Sequence, residues 1–200
     1  MLRVGLTGNI GSGKSVVSRI FSTLGIPVYH ADEESKKFLG RPDVIREVAA
    51  LFGPAILTES GAVKRKALAS VVFGDPVALS RLNSILHPLV KDGAREWAAL
   101  YAERPYVIHE AAIIFESGFR QEYDRIIYIT CPKETAIARV MERDGVKRED
   151  VLGRLRFQWE DEVKMKESDF VIVNDGVAPL LPQVLEIHDI LIRNSLSPKQ

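Results

Sequence analysis

The chain has 200 residues, 46% hydrophobic and 27% charged, a balance that suits one compact globular domain with a sizeable core. Lysine plus arginine and aspartate plus glutamate both number 27, so no net field draws the chain to nucleic acid or to an anionic membrane. The single cysteine, Cys131, excludes an internal disulfide, and no apolar run is long enough to cross a bilayer. A first strand at Leu2 leaves no room for a leader peptide, so a cytoplasmic setting is expected.

The first predicted element is a buried strand over Leu2 to Thr7. It runs into Gly8-Asn9-Ile10-Gly11-Ser12-Gly13-Lys14-Ser15, which fits the G-x-x-x-x-G-K-[ST] pattern of a phosphate-binding P-loop. Val16 to Phe21 then reads as the start of a helix. Between a strand's carboxyl end and a helix's amino end, unpaired N–H groups and the helix dipole attract anions. The glycines let the backbone curl around a phosphate, Lys14 is expected to reach the outer phosphates, and the Ser15 hydroxyl to hold Mg²⁺. A chance match in a glycine-rich turn is the competing account, and the flanking strand and helix argue against it.

A second strand, Ile26 to His30, leads to Asp32. A carboxylate just past a strand's carboxyl end, beside a P-loop, is placed to take a proton from an acceptor hydroxyl. Its other reading is an N-cap for a helix over Glu33 to Leu39. From Glu33 to Arg104 the pattern is helical, as in Val44-x-x-x-Val48-x-x-Leu51-Phe52, and no strand is expected there. Lys64-Arg65-Lys66 reads as a helix surface with a member available to an anionic substrate. His87, before Pro88, reads by itself as a capping or core residue at a helix junction, and His30, His109 and His188 read likewise as structural.

Strands follow at Tyr106 to Glu110, Arg125 to Thr130 and Phe170 to Val173, giving a five-stranded parallel sheet covered on both faces. Glu110 has two readings, a residue ordering metal-bound water or a carboxylate satisfied by local backbone. A helix from Pro132 is expected to bury Ala136, Ile137, Val140 and Met141. Arg139 and Arg143, four apart, lie at the edge of that face and are candidates to stabilise the moving phosphoryl group; exposed surface arginines are the alternative. The charged stretch after Gly145, which includes Arg154, Asp161 and Lys164, reads as a mobile lid too polar to be core. A last helix, Leu181 to Asn194, is expected to pack Val184, Leu185, Ile187, Leu191 and Ile192 on the sheet, with residues from Ser195 onward frayed.

A P-loop alone allows kinases, ATPases and GTPase switches. The guanine-reading N-K-x-D segment is missing from the sequence, which argues against a GTPase. A kinase for a small hydroxylated acceptor, nucleoside or shikimate-like included, and a nucleotide-dependent switch both remain open on the residues alone.

Several segments together resemble the dephospho-coenzyme A kinase family. They are Leu6 to Ser15, Ala31-Asp32, Arg65-Lys66-Ala67-Leu68 with Val72-Phe73, Leu82-Asn83 with Leu86-His87-Pro88-Leu89, and Ile113 to Gly118. Arg139 to Gly145, Arg154 to Gln158 and Asp169 to Asn174 complete the set, which spans nearly the whole chain in order. The resemblance implies an α/β three-layer P-loop kinase fold. Its core would take in about 1–32, 105–144 and 169–200, its helical acceptor-binding insertion about 33–104, and its short lid about 145–168.

The implied activity is ATP-dependent phosphorylation of the ribose 3′-hydroxyl of dephospho-coenzyme A. Asp32 would be the base, Lys14 and Arg143 would stabilise the phosphoryl group, Arg139 would contact ATP, and Arg65 and His87 would belong to the acceptor region. Many members have a carboxylate where His30 stands, and proline at Ala112. The first departure leaves Ser15 as the implied metal ligand. Oligomeric state is left open by the sequence.

Overall fold

The computed structural model describes residues 1–72 and 75–196. Phe73, one of the residues carrying the resemblance, and the tail from Ser197, expected to fray, lie outside them. The chain divides into two compact units, Met1–His30 with Ala98–Gln200, and Ala31–Trp97.

The first unit holds a five-stranded sheet in the order β2-β3-β1-β4-β5, with every neighbouring pair parallel. Its strands are β1 (Leu2–Thr7), β2 (Val28–His30), β3 (Tyr106–Glu110), β4 (Arg125–Thr130) and β5 (Phe170–Val173). Parallel strands need crossovers, and helices supply them, so both faces of the sheet are buried. The two-residue side-chain period divides β4 between those faces. Ile127 and Ile129 join Val17 and Phe21 of α1 (Lys14–Thr23) and Val184, Ile187 and Leu191 of α9 (Leu180–Leu196). Ile126 and Tyr128 join Ile114, Phe115 and Tyr123 on the opposite face. The α6 helix (Lys133–Asp144) packs Ile137 and Val140 on Val151 of α7 (Arg148–Leu155), and α8 (Asp161–Lys166) follows.

The second unit is helical: α2 (Ala31–Phe38), α3 (Pro42–Phe52), α4 (Arg65–Val72) and α5 (Pro76–Ala99). Among its described residues, β pairing is limited to one isolated antiparallel bridge, Leu57 to Val63. Val44, Val48, Leu68, Leu82 and Leu86 form its own core.

Four expectations change. Instead of a junction at Pro88, α5 runs through it. Proline removes one helix donor and crowds the preceding turn, but Leu82, Leu86 and Val90 are buried on both sides of it and hold the helix together. Leu185 and Met141, assigned to buried faces, are 38% and 36% exposed. Both sit at the margin of their apolar stripe, where helical periodicity resolves a boundary only to about one residue. α9 runs two residues past its expected end at Asn194, through Ser195 to Leu196. Lys164, expected on a solvated lid, is fully buried, as is Val151. Among the described residues no helix is long and apolar enough to cross a membrane.

Candidate active site

The loop between β1 and α1 forms a cradle. Gly11 and Gly13 have φ of 81° and 95°, in the left-handed region where a Cβ is strained. Space is also short: a Cβ on Gly11 would run into the Ala136 carbonyl, and one on Gly13 into the Asn174 side-chain amide. Gly13 occupies the cap position of α1 and offers no side-chain oxygen to the helix's first N–H groups. Uncapped amides at a helix amino end, together with the dipole, make an anion site. Lys14 Nζ donates to the Gly8 carbonyl at 2.8 Å, folding the ammonium over the loop. Ser15 is exposed in the first turn of α1. A hydroxyl oxygen there suits a hard cation such as Mg²⁺.

Two side chains at the strand ends meet. β2 and β3 are in register with His30 opposite Glu110, and His30 Nδ1 lies 2.9 Å from Glu110 Oε2. Glu110 is therefore held by a histidine, a partner neither of its two sequence readings included.

Arg139 donates to Cys131 Sγ at 3.3 Å and to the Asn174 carbonyl at 3.2 Å, so its guanidinium joins β4's end to β5's end. Burial pushes the Cys131 thiol above its ordinary pKa, with Arg139 opposing. Arg143 instead forks onto Asp144, 2.7 and 3.2 Å, and Arg154 reaches the same carboxylate at 2.9 Å. Both guanidiniums hold the Asp144 carboxyl down at about 2, Arg143 through the larger effect.

The segment 158–164 grips the loop's leading half. Ile10 N–H donates to Gln158 Oε1 at 2.9 Å. Asn9 donates from its amide to the Asp161 carboxylate and to the Trp159 carbonyl, and accepts from Lys164 Nζ at 2.7 Å. Tyr128 OH donates to Asp161 at 2.7 Å, and Lys164 pairs with Glu116. Burial pushes the Lys164 ammonium down, while Glu116 opposes the shift. The trailing half is held by Asn174, whose Nδ2 donates to the Ser12 carbonyl at 2.7 Å. Sequence reasoning assigned none of Glu116, Gln158, Asp161, Lys164 and Asn174 to the site. Asp161 and Lys164 are three apart and share a face of α8, a signal that acquires meaning only once that face is known to meet the sheet.

In the helical unit, Asp32 is the exposed second residue of α2. The capping position precedes it, so the N-cap reading does not hold. Arg65 opens α4 and donates to the Lys36 carbonyl at 3.1 Å. His87 is half-buried in α5, and burial pushes its pKa down. His109 and His188 are structural, bonded to Tyr123 OH and Tyr106 OH at 2.7 and 2.6 Å. Burial pushes His109 down to about 4, keeping it neutral.

The family model for dephospho-CoA kinase matches residues 2–179. The chain belongs to the dephospho-CoA kinase family. A Bacteroides fragilis relative named as dephospho-CoA kinase is 40% identical over 187 residues, covering 93% of this chain and 91% of its own. Among solved structures, a Thermus thermophilus protein is 33% identical with a TM-score of 0.83, covering 98% of each chain. The dephospho-CoA kinase of Campylobacter jejuni is 26% identical with a TM-score of 0.70, over 97% of this chain and 98% of its own. Membership in this family carries the P-loop kinase fold and ATP as substrate, and it separates the chain from GTPase switches and from kinases of other small acceptors.

Proposed function

We propose that the chain transfers the γ-phosphoryl group of ATP to the ribose 3′-hydroxyl of dephospho-coenzyme A, giving coenzyme A and ADP. The observation that carries this reading is the glycine cradle between β1 and α1, its helix end uncapped and Lys14 folded over it, in a chain that matches the family over residues 2–179.

Phosphoryl transfer asks the protein chiefly for positioning and charge neutralisation. In this reading the backbone of Gly8, Asn9, Ile10, Gly11, Ser12 and Gly13 cradles the phosphates. Lys14 meets the outer oxygens and draws off charge as the γ-phosphoryl group moves. Arg143 exchanges Asp144 for the phosphoryl group, and Arg139, fixed between Cys131 and Asn174, contacts the nucleotide. Mg²⁺, held through Ser15, neutralises phosphate charge when bound. Asp32 accepts the proton of the 3′-hydroxyl, whose oxygen forms the new bond to phosphorus while ADP leaves.

Residues of about 33–104, Arg65 and His87 among them, take the acceptor, and about 145–168 act as a lid. A cytoplasmic setting suits both substrates. A coupled ADP-release assay with dephospho-coenzyme A beside a panel of nucleosides and shikimate, with products identified by mass, tests the reading. ADP release at one slow rate whatever the acceptor would overturn it.

A further inference from the structure

We infer that Lys164 is a positioning residue for the nucleotide loop, acting through Asn9 from the far side of the sheet end. The inference rests on the reading of residues 8–15 as the cradle for ATP's phosphates. Lys164 is fully buried, an uncommon place for an ammonium group, and one that carries a desolvation cost. Two partners receive its protons, Glu116 and Asn9 Oδ1. Glu116 Oε1 also accepts from the Trp159 N–H at 2.9 Å, which ties the pair to the segment that binds Asn9.

What the arrangement fixes is Asn9. Its amide oxygen takes Lys164, and its nitrogen serves Asp161 and the Trp159 carbonyl. All its hydrogen-bonding directions but one lone pair are used, which determines the amide's orientation. Asp161 is itself held by Tyr128 of β4. The neighbouring Ile10 N–H is bound by Gln158, whose amide nitrogen also reaches the Ala112 carbonyl at 3.3 Å. Trp159, stacked on Phe115 with ring centroids 6.1 Å apart, pins the segment that carries these groups. The first two variable residues of the cradle are therefore held by the protein's own side chains. A loop held in this way spends less of its binding energy on ordering itself.

The test is the double variant Lys164→Met/Glu116→Gln, which removes both charges and strands neither. Calorimetric titration with ATP should show affinity weakened about tenfold or more, with the KM for dephospho-coenzyme A and the melting temperature close to wild type. Gln158→Leu, which removes the second hold and leaves no buried charge, should weaken ATP about threefold. Unchanged ATP affinity in either folded variant overturns the inference. So does a double variant in which both substrates lose affinity in step with a fallen melting temperature, since that marks a purely structural pair. Lys14→Ala is run in parallel: unchanged ATP affinity there defeats the cradle reading itself. Weakened ATP binding in Lys14→Ala, with none in the other two variants, defeats only the role of Lys164.

Discussion

Asn174 donates its side-chain N–H to the carbonyl of Ser12 at 2.7 Å, so the residue that follows β5 props the middle of the phosphate loop. Gly13 lies against the same amide, and a Cβ there would overlap the Asn174 nitrogen. Gly13→Ala is expected to force the loop off Asn174 and to strain a φ of 95°. ATP affinity should fall by about tenfold or more, since strain of this kind costs about 1–3 kcal/mol. Equilibrium titration of ATP checks it, and wild-type affinity in a folded Gly13→Ala protein would contradict the close contact.

Lys14 folds over the loop onto the Gly8 carbonyl, which holds the ammonium near the cradle. Lys14→Ala is expected to lower kcat/KM for ATP by about 10²–10³-fold, the range for removing one charge-stabilising donor. Steady-state kinetics with ATP varied at saturating acceptor measures it. A loss confined to the acceptor's KM would remove Lys14 from the phosphate site.

The sheet was legible because its strands are buried on both faces and read as continuous β-branched runs; all five lie within two residues of their predicted positions. The cradle was legible because a glycine pattern of fixed spacing encodes a backbone shape. What could not be read were long-range polar pairings. Asn9 and Lys164 are 155 residues apart, and Glu110 and His30 are 80 apart. No local periodicity connects such partners, and a charged stretch looks the same whether it is solvated or folded onto a loop. Lys164 was misread for that reason. The resemblance brought Glu116, Gln158 and Asn174 into view as letters of a motif, and the geometry then supplied what they hold.

Asp32 sits in the first turn of α2 with Glu33 and Glu34, exposed, and past the capping position. As the proton acceptor for the 3′-hydroxyl, its change to asparagine should lower kcat by about 10²–10⁴-fold, the contribution of a positioned base. ATP affinity and melting temperature should stay near wild type, because an exposed first-turn carboxylate contributes little to stability beyond its interaction with the helix dipole. Single-turnover kinetics with pre-bound ATP isolates the chemical step. Near-normal turnover would assign Asp32 to the helix dipole alone.

Asp144 accepts from both Arg143 and Arg154 and so ties the end of α6 to α7. The two guanidiniums hold its carboxyl at about 2, below the ordinary value of 3.8. A carboxylate depressed in the folded state binds its proton more weakly there than in the unfolded chain. Its stabilisation is therefore complete above about pH 4 and is lost as pH falls toward 2. Asp144→Asn should cost about 1 kcal/mol or less at pH 7, the scale of a partly exposed ion pair. In urea unfolding the gap to wild type should narrow steadily below pH 4. Removing the carboxylate also frees Arg143 for the phosphoryl group, so turnover at pH 7 should stand at or above wild type. A stability gap that is the same at pH 7 and pH 3 would show that the Asp144 contacts do not depend on its charge.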